Sequence, residues 1–295
     1  NVPEWNGYVG GIFHKKTLAS YHNIRQHKLR GDVDSTFKPE KGLNGIGRAI
    51  ALQEDGKVIV GGEFTTANGM KSNRIVRYDL SGKVDEAFSI GEGFDDDVLA
   101  LAIQPDGKIV VGGKFQKFDG EYRMGLARLN NDGSVDQDFN VGRGVHTDQN
   151  GWVHSLAIQK KGWANYTSEP NDPFKIIVAG CFTRYDNFPA FSLARIDLNG
   201  RLDMSFDTSI GVQGIVHGVC IQDDGRIIIG GNFEKYDGIK RKNIARVIAE
   251  SGRIDRSFDP GLGTSSPVYT VNSYRDGKIF IGGSFTKFNG INNSI

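Results

Sequence analysis

Apolar and polar positions alternate in short runs along this chain, and each run ends at a turn signal. "VLALAIQ" (residues 98–104) alternates large and small apolar residues before "PDG". "KIVVGGKF" (Lys108 to Phe115) follows, a β-branched run closed by two glycines and a phenylalanine. A polar loop leads to "GLARLN", and "NDG" then leads to "SVDQDF". Runs of this kind, bounded by Gly, Pro, Asn and Asp, read as strands. The pattern predicts four antiparallel strands, a to d, over residues 98–139. Asp55-Gly56, Asp106-Gly107, Asp224-Gly225 and Asp276-Gly277 predict type I′ turns between a and b. Asp132-Gly133 and Asn199-Gly200 predict the same between c and d.

The unit recurs. "KVIVGGEF", "KIVVGGKF", "KIIVAGCF", "RIIIGGNF" and "KIFIGGSF" end at Phe64, Phe115, Phe182, Phe233 and Phe285, and a weaker copy, "GYVGGIF", ends at Phe13. The spacings are 51, 51, 67, 51 and 52 residues. A second motif, "VDxxF" with its variants, keeps step through Asp34, Asp85, Asp136, Asp203 and Asp255. A period near 50 built from strand signals implies a propeller or solenoid, and four-stranded antiparallel units imply propeller blades. The expectation is an all-β protein: one β-propeller domain over 1–295 with five to six four-stranded blades. Repeats start near 31, 82, 133, 200 and 252. Residues 1–30 read as a partial repeat that completes or adjoins the C-terminal blade.

The segment "VLALAIQPDGKIVVGGKF…GLARLNNDGSVDQDF" resembles the delta-60 repeat of bacterial and phage proteins, a β-propeller family, and the resemblance spans nearly the whole chain. It implies the fold and no agreed activity. It also implies a setting at a bacterial cell surface or in a virion, such as a tail or fibre.

Within that fold the Gly pair reads as a packing device, because Gly admits a close backbone approach or a bulge. No Gly-x-x-x-x-Gly-Lys-Ser/Thr pattern accompanies it, so a phosphate cradle is not expected. The repeated Asp of "VDxxF" reads as a turn residue accepting backbone N–H groups. One carboxylate per blade is too few for calcium. No cofactor or metal site is expected.

Composition narrows the partners. Thirty-six basic residues against 35 acidic ones give a net charge of +1, which argues against general nucleic-acid binding. No apolar run approaches the roughly 18 residues of a membrane span. Two cysteines, Cys181 and Cys220, make no disulfide framework, and both lie in strand-like segments.

The d–a and b–c loops vary most and share one face, which makes it the binding candidate. Three b–c loops carry Phe118, Tyr185 and Tyr236 in register, with Phe288 in a fourth. These aromatics serve either a stacking site for sugar or the packing of each loop on its blade. One register at the entrance of strand a collects Arg48, Leu99, His154, His217 and Tyr269. Trp152 lies in a lengthened d–a loop, and an insert at 160–174 adds Trp163 and Tyr166 on the opposite face. The favoured function is a non-catalytic structural or recognition module in a larger extracellular, cell-surface or virion assembly, binding a protein or glycan partner. A carbohydrate-binding lectin is the alternative. A glycoside hydrolase is less favoured, because the strand entrances offer no pair of carboxylates roughly 5–10 Å apart.

Overall fold

The computed structural model describes residues 36–148, 151–160, 174–274 and 276–292. Trp163, Tyr166 and the predicted partial repeat at 1–30 lie outside the described residues.

Five antiparallel pairs follow one another along the chain, each an inner strand and a middle strand. They are Gly47–Leu52 with Val58–Gly62, Val98–Ile103 with Ile109–Gly113, and Trp152–Lys160 with Phe174–Cys181. Val212–Ile221 with Ile227–Tyr236 and Val268–Ser273 with Ile279–Gly283 complete the set. In the first four blades a third strand joins the far side of the middle one: Ile75–Tyr78, Leu126–Leu129, Leu193–Ile196 and Ile244–Val247.

The predicted fourth strand shrinks to one bridge per blade: Tyr78 to Val84, Leu129 to Val135, Ile196 to Leu202 and Val247 to Ile254. The next residue explains why. Asp85, Asp136, Asp203 and Asp255 each turn Oδ1 onto the N–H two residues ahead. That bond folds the chain into a turn before a ladder can extend.

The type I′ turns fall elsewhere than predicted. At Asp55-Gly56 only the glycine is left-handed, with φ 87°. Gln53 N–H bonds Lys57 O and Gly56 N–H bonds Gln53 O, so the connection is a three-residue loop. Turns with two left-handed residues instead cap small hairpins between the middle and third strands. Examples are Asn68-Gly69 (φ 49° and 83°) and Asp119-Gly120 (φ 47° and 79°).

Each inner strand packs on the face of the blade before it. Val98 and Leu101 cluster with Ile59, Val153 and Leu156 with Val110, Val216 and Val219 with Ile177, and Val268 and Val271 with Ile228. The Gly pair makes this possible in two ways. A Cβ on Gly112, the first of its pair, would stand 2.5 Å from Val153 Cγ1 of the next blade. A Cβ on Gly113 would run into the backbone carbonyl of Asp97 in its own blade. The first glycine therefore serves packing between blades, and the second serves a bulge within the blade.

A buried ion pair pins each third strand. Arg77, Arg128, Arg195 and Arg246 bond through Nε to Asp85, Asp136, Asp203 and Asp255, at 2.6–2.9 Å. Each guanidinium also lies over the phenylalanine of its own "VDxxF" segment, with centroid distances of 4.6–5.2 Å. Arg77, Arg128 and Arg195 reach onward to the carbonyls of Asn131, Leu198 and Ala249 in the following blade. The aspartate is thus the turn residue expected from sequence and also the counter-ion of an arginine that ties neighbouring blades together.

The inner strands touch in succession from the first blade to the fifth. No comparable contact joins the fifth to the first among the described residues. Among the described residues the five blades form an arc, and its ends differ from its middle. Ile50 is 41% exposed, whereas Leu101, Leu156, Val219 and Val271 at the same position are 1–8% exposed.

Candidate binding face

The face with the d–a and b–c loops carries two sets of variable side chains. The inner set comes from a defect repeated in every blade. The pairing of inner and middle strands slips between Gly47 and Ala49, Val98 and Ala100, Val153 and Ser155, Val216 and Gly218, and Val268 and Thr270. The residue skipped each time is Arg48, Leu99, His154, His217 or Tyr269. A β-bulge releases one residue from the ladder and re-aims its side chain. The register seen in the sequence is therefore a row of bulge residues.

The structure brings four of the expected site residues together in this row. Trp152 donates its indole N–H to His154 Nε2 at 2.8 Å, which leaves the His154 proton on Nδ1. The His154 ring meets His217 edge-on at 4.8 Å, and His217 meets Tyr269 at 5.5 Å. Burial, then the neighbouring His217 and Lys114, pull the His154 pKa down to about 4. Burial also lowers that of His217. Both rings are neutral at physiological pH.

Charged groups beside the row are already engaged. Arg48 binds Glu63, and Lys114 binds Asp97 at 3.0 Å with Arg74 at 3.9 Å from the same carboxylate. No group of three or more His, Cys, Asp or Glu suited to a metal occurs among the described residues. Cys181 and Cys220 are free thiols, and burial raises both pKa values, Cys220 to about 12. Neither is a ready nucleophile at neutral pH.

The aromatic register requires a correction. Phe118 and Tyr185 are 1% exposed and Tyr236 is 0% exposed. Phe118 packs on Phe94 at 4.5 Å, and the Tyr185 hydroxyl donates to Gly200 O at 2.6 Å. These rings fasten each hairpin to its blade and offer no face to a sugar.

The outer set was not seen in the sequence. The small hairpins pair Ala67 with Met70, Tyr185 with Phe188, Tyr236 with Ile239 and Phe288 with Ile291. The first partner is held against the blade and the second projects outward. Met70, Phe188 and Ile291 are exposed, the last at 71%. In the second blade the exposed residue is Tyr122, at 69%, with Lys117 Nζ 4.8 Å from its ring centroid. Ile210 and Leu262 add apolar surface on the adjoining d–a loops. The turn at each tip fixes which residue pairs with the residue held against the blade, so the signal lay in the two residues after Asn-Gly, Asp-Gly or Asp-Asn.

Regular blades, bulged inner strands and exposed tips define a β-propeller whose variable residues gather on one face. The chain belongs to the family described as "Domain of unknown function (DUF5122) beta-propeller", whose model matches residues 53–88, 104–139, 175–206, 222–258 and 275–295. The delta-60 resemblance is to a family of this kind under another name. No curated protein matches the chain. Among solved structures, the WD40 β-propeller domain of Doa1 aligns with TM-score 0.50 at 15% identity, covering 82% of this chain and 62% of that one. The extracellular domain of the two-component system BT3049 from B. thetaiotaomicron aligns with TM-score 0.52 at 15% identity, over 85% of this chain and 28% of that one. XC5397 from Xanthomonas campestris, a gluconolactonase, aligns at 14% identity with TM-score 0.45, over 80% and 68%. The chain spans less than two thirds of the first two. At such identities the likeness extends to the fold alone. Among the described residues, no helix is long and apolar enough to cross a membrane.

Proposed function

We propose that this propeller is a non-catalytic recognition module that binds a protein partner through the face of its d–a and b–c loops. The observation that carries the reading is the outer set. Met70, Tyr122, Phe188 and Ile291 are exposed at the tips of four separate blades. Exposed apolar and aromatic residues rimming a polar centre are the makings of a protein interface. The bulge row of Arg48, Leu99, His154, His217 and Tyr269, with Trp152, supplies the polar centre. The assembly is a bacterial surface or virion one, a setting supported by the family resemblance. A lectin reading loses its main support with the burial of Phe118, Tyr185 and Tyr236. A hydrolase reading finds Glu63 and Asp97 each bound to a cation.

The test uses the purified chain against a displayed protein library and a glycan array. Binders from the library are expected to lose at least tenfold in affinity with Tyr122→Asp or Phe188→Asp. Asp223→Lys, on the opposite face, is expected to leave binding unchanged. Equal losses on both faces, or binding to glycans alone, would overturn the proposal.

A further inference from the structure

One groove between blades is left open by the side chains around it. In each of the first four blades the last glycine of the middle-strand motif donates its N–H to the carbonyl of a left-handed residue before the third strand. The pairs are Gly62 with Arg74, Gly113 with Gly125, Gly180 with Ser192 and Gly231 with Asn243, at 2.9–3.1 Å. These equivalent residues decide what fills the groove toward the next blade. The Arg74 side chain bonds Glu63 O and reaches within 3.9 Å of Asp97 in the second blade. Asn243 spans to the carbonyls of Thr264 and Ser266 ahead of the fifth inner strand, at 3.3 and 3.1 Å. At Gly125 the place a Cβ would take is held by Val145.

Ser192 fills nothing beyond its own reach. It is short, and its hydroxyl is turned onto Gly214 O at 2.6 Å. Beside it, Cys181 stands where the first two blades carry Glu63 and Lys114. The result is a cleft of about 520 Å³ between the third and fourth blades, within the usual range of a ligand site. Its walls are tied together, because Val212 N–H bonds Phe191 O and Phe191 N–H bonds Thr208 O, at 3.2 and 3.3 Å. Phe182, Phe191, Ile210 and Val212 make the walls apolar, and Ser209 and Gln213 add a hydroxyl and an amide. None of the lining residues carries a charge. A charge buried there finds no counter-ion, which is costly, so the cleft selects an uncharged occupant. It opens on the loop face: Ile210 is exposed, and Cys181 pairs with Trp152 of the inner strand.

We propose that this cleft is the anchor site of the loop face, and that it takes an uncharged aliphatic or aromatic side chain of the partner protein. The inference rests on the recognition reading above and names the pocket through which that face holds its partner. A preformed pocket that desolvates one apolar side chain is where binding energy concentrates in an interface.

The test follows the Ile210 and Val212 methyl signals by NMR as N-acetyl-phenylalaninamide or N-acetyl-leucinamide is titrated into the full chain. Both amides are expected to move both signals saturably, and the lysine and glutamate counterparts to leave them in place. Ser192→Arg puts into the cleft the side chain that fills the first groove, and its φ of 60° is close to the 67° of Arg74. It is expected to weaken amide binding by on the order of tenfold or more. If Ser192→Arg fails to fold, Ile210→Asp at the exposed rim is expected to give the same loss, read at Val212. Equal shifts with the charged amides, no shift with any of them, or a response that survives the filled cleft would overturn the proposal. Library binders that leave both methyls unmoved would overturn it too, while the recognition reading stands. A library without binders counts against that reading, and the amide titration still decides the cleft.

Discussion

His154 shows how the bulge row sets the chemistry of a single residue. Its ring accepts from Trp152, abuts His217 and has an ordinary value of 6.5 lowered to about 4, first by burial. The unfolded chain binds this proton below about pH 6.5 and the folded chain only below about pH 4. Stability therefore falls as pH drops from 6.5 to 4 and levels off below. His154→Gln is expected to flatten melting temperature against pH in that window, and an unchanged slope would contradict it. The buried aspartates act at lower pH. Burial pushes the Asp136 carboxyl up, but bonds from Lys108 and Arg128 outweigh this and hold it below the ordinary range. Its contribution is present above the usual carboxylate value and is lost as pH falls through the depressed one. Asp136→Asn leaves Arg128, 5% exposed, without its counter-ion. A loss of about 3 kcal/mol in denaturant unfolding is expected, the scale for breaking a buried pair.

At the scale of the element, the two glycines of "KIVVGGKF" carry different loads. Gly113 faces a backbone carbonyl at the bulge, which cannot rotate away as a side chain can. Gly112 faces Val153 of the next blade, and the third blade manages with Ala179 at the equivalent position. Gly112→Ala is therefore expected to cost about 1–3 kcal/mol, as overpacking does. Gly113→Val is expected to cost more than about 4 kcal/mol or to abolish folding. Chemical denaturation of both variants checks the order, and the reverse order would remove the bulge account. Strand length follows the same local logic. In the first four blades the middle strands are rich in β-branched residues and largely buried, and they pair on both sides. The "VDxxF" segment makes one bridge and turns, because its aspartate captures its own backbone.

For the whole molecule, stability is a matter of neighbours. Each blade buries its apolar faces only against the next, so contacts sum along the arc as in other repeat proteins. The middle strand Ile109–Gly113 is buried throughout, whereas Ile279–Gly283 of the fifth blade is buried at none of its five residues. Native-state hydrogen exchange is expected to be slower at Ile109–Gly113 than at Ile279–Gly283 by on the order of tenfold or more. Equal protection would mean that the fifth blade is covered as fully as the second. The binding face belongs to this scale as well, because Met70, Tyr122, Phe188 and Ile291 come from separate blades and meet only on the assembled arc.

Local chemistry made much of this legible before any fold was known. The period near 51, the strand order and the turn role of Asp136 depend on residues close in sequence, and those interactions form wherever the chain goes. The alignment of Arg48, His154, His217 and Tyr269 was legible too, because the bulge falls at the same place in each repeat. Tertiary structure alone decided which way side chains point. Phe118, Tyr185 and Tyr236 are buried and Tyr122 and Phe188 are exposed because each hairpin lies down on its own blade, and alternation within two residues cannot report that. The Arg128–Asp136 pair and its reach to Leu198 likewise needed the strands in place, since a guanidinium finds a carbonyl 70 residues away only after the blades have stacked. Sequence set the rhythm because rhythm is local. The fold set the surface because burial depends on what lies across the gap between blades.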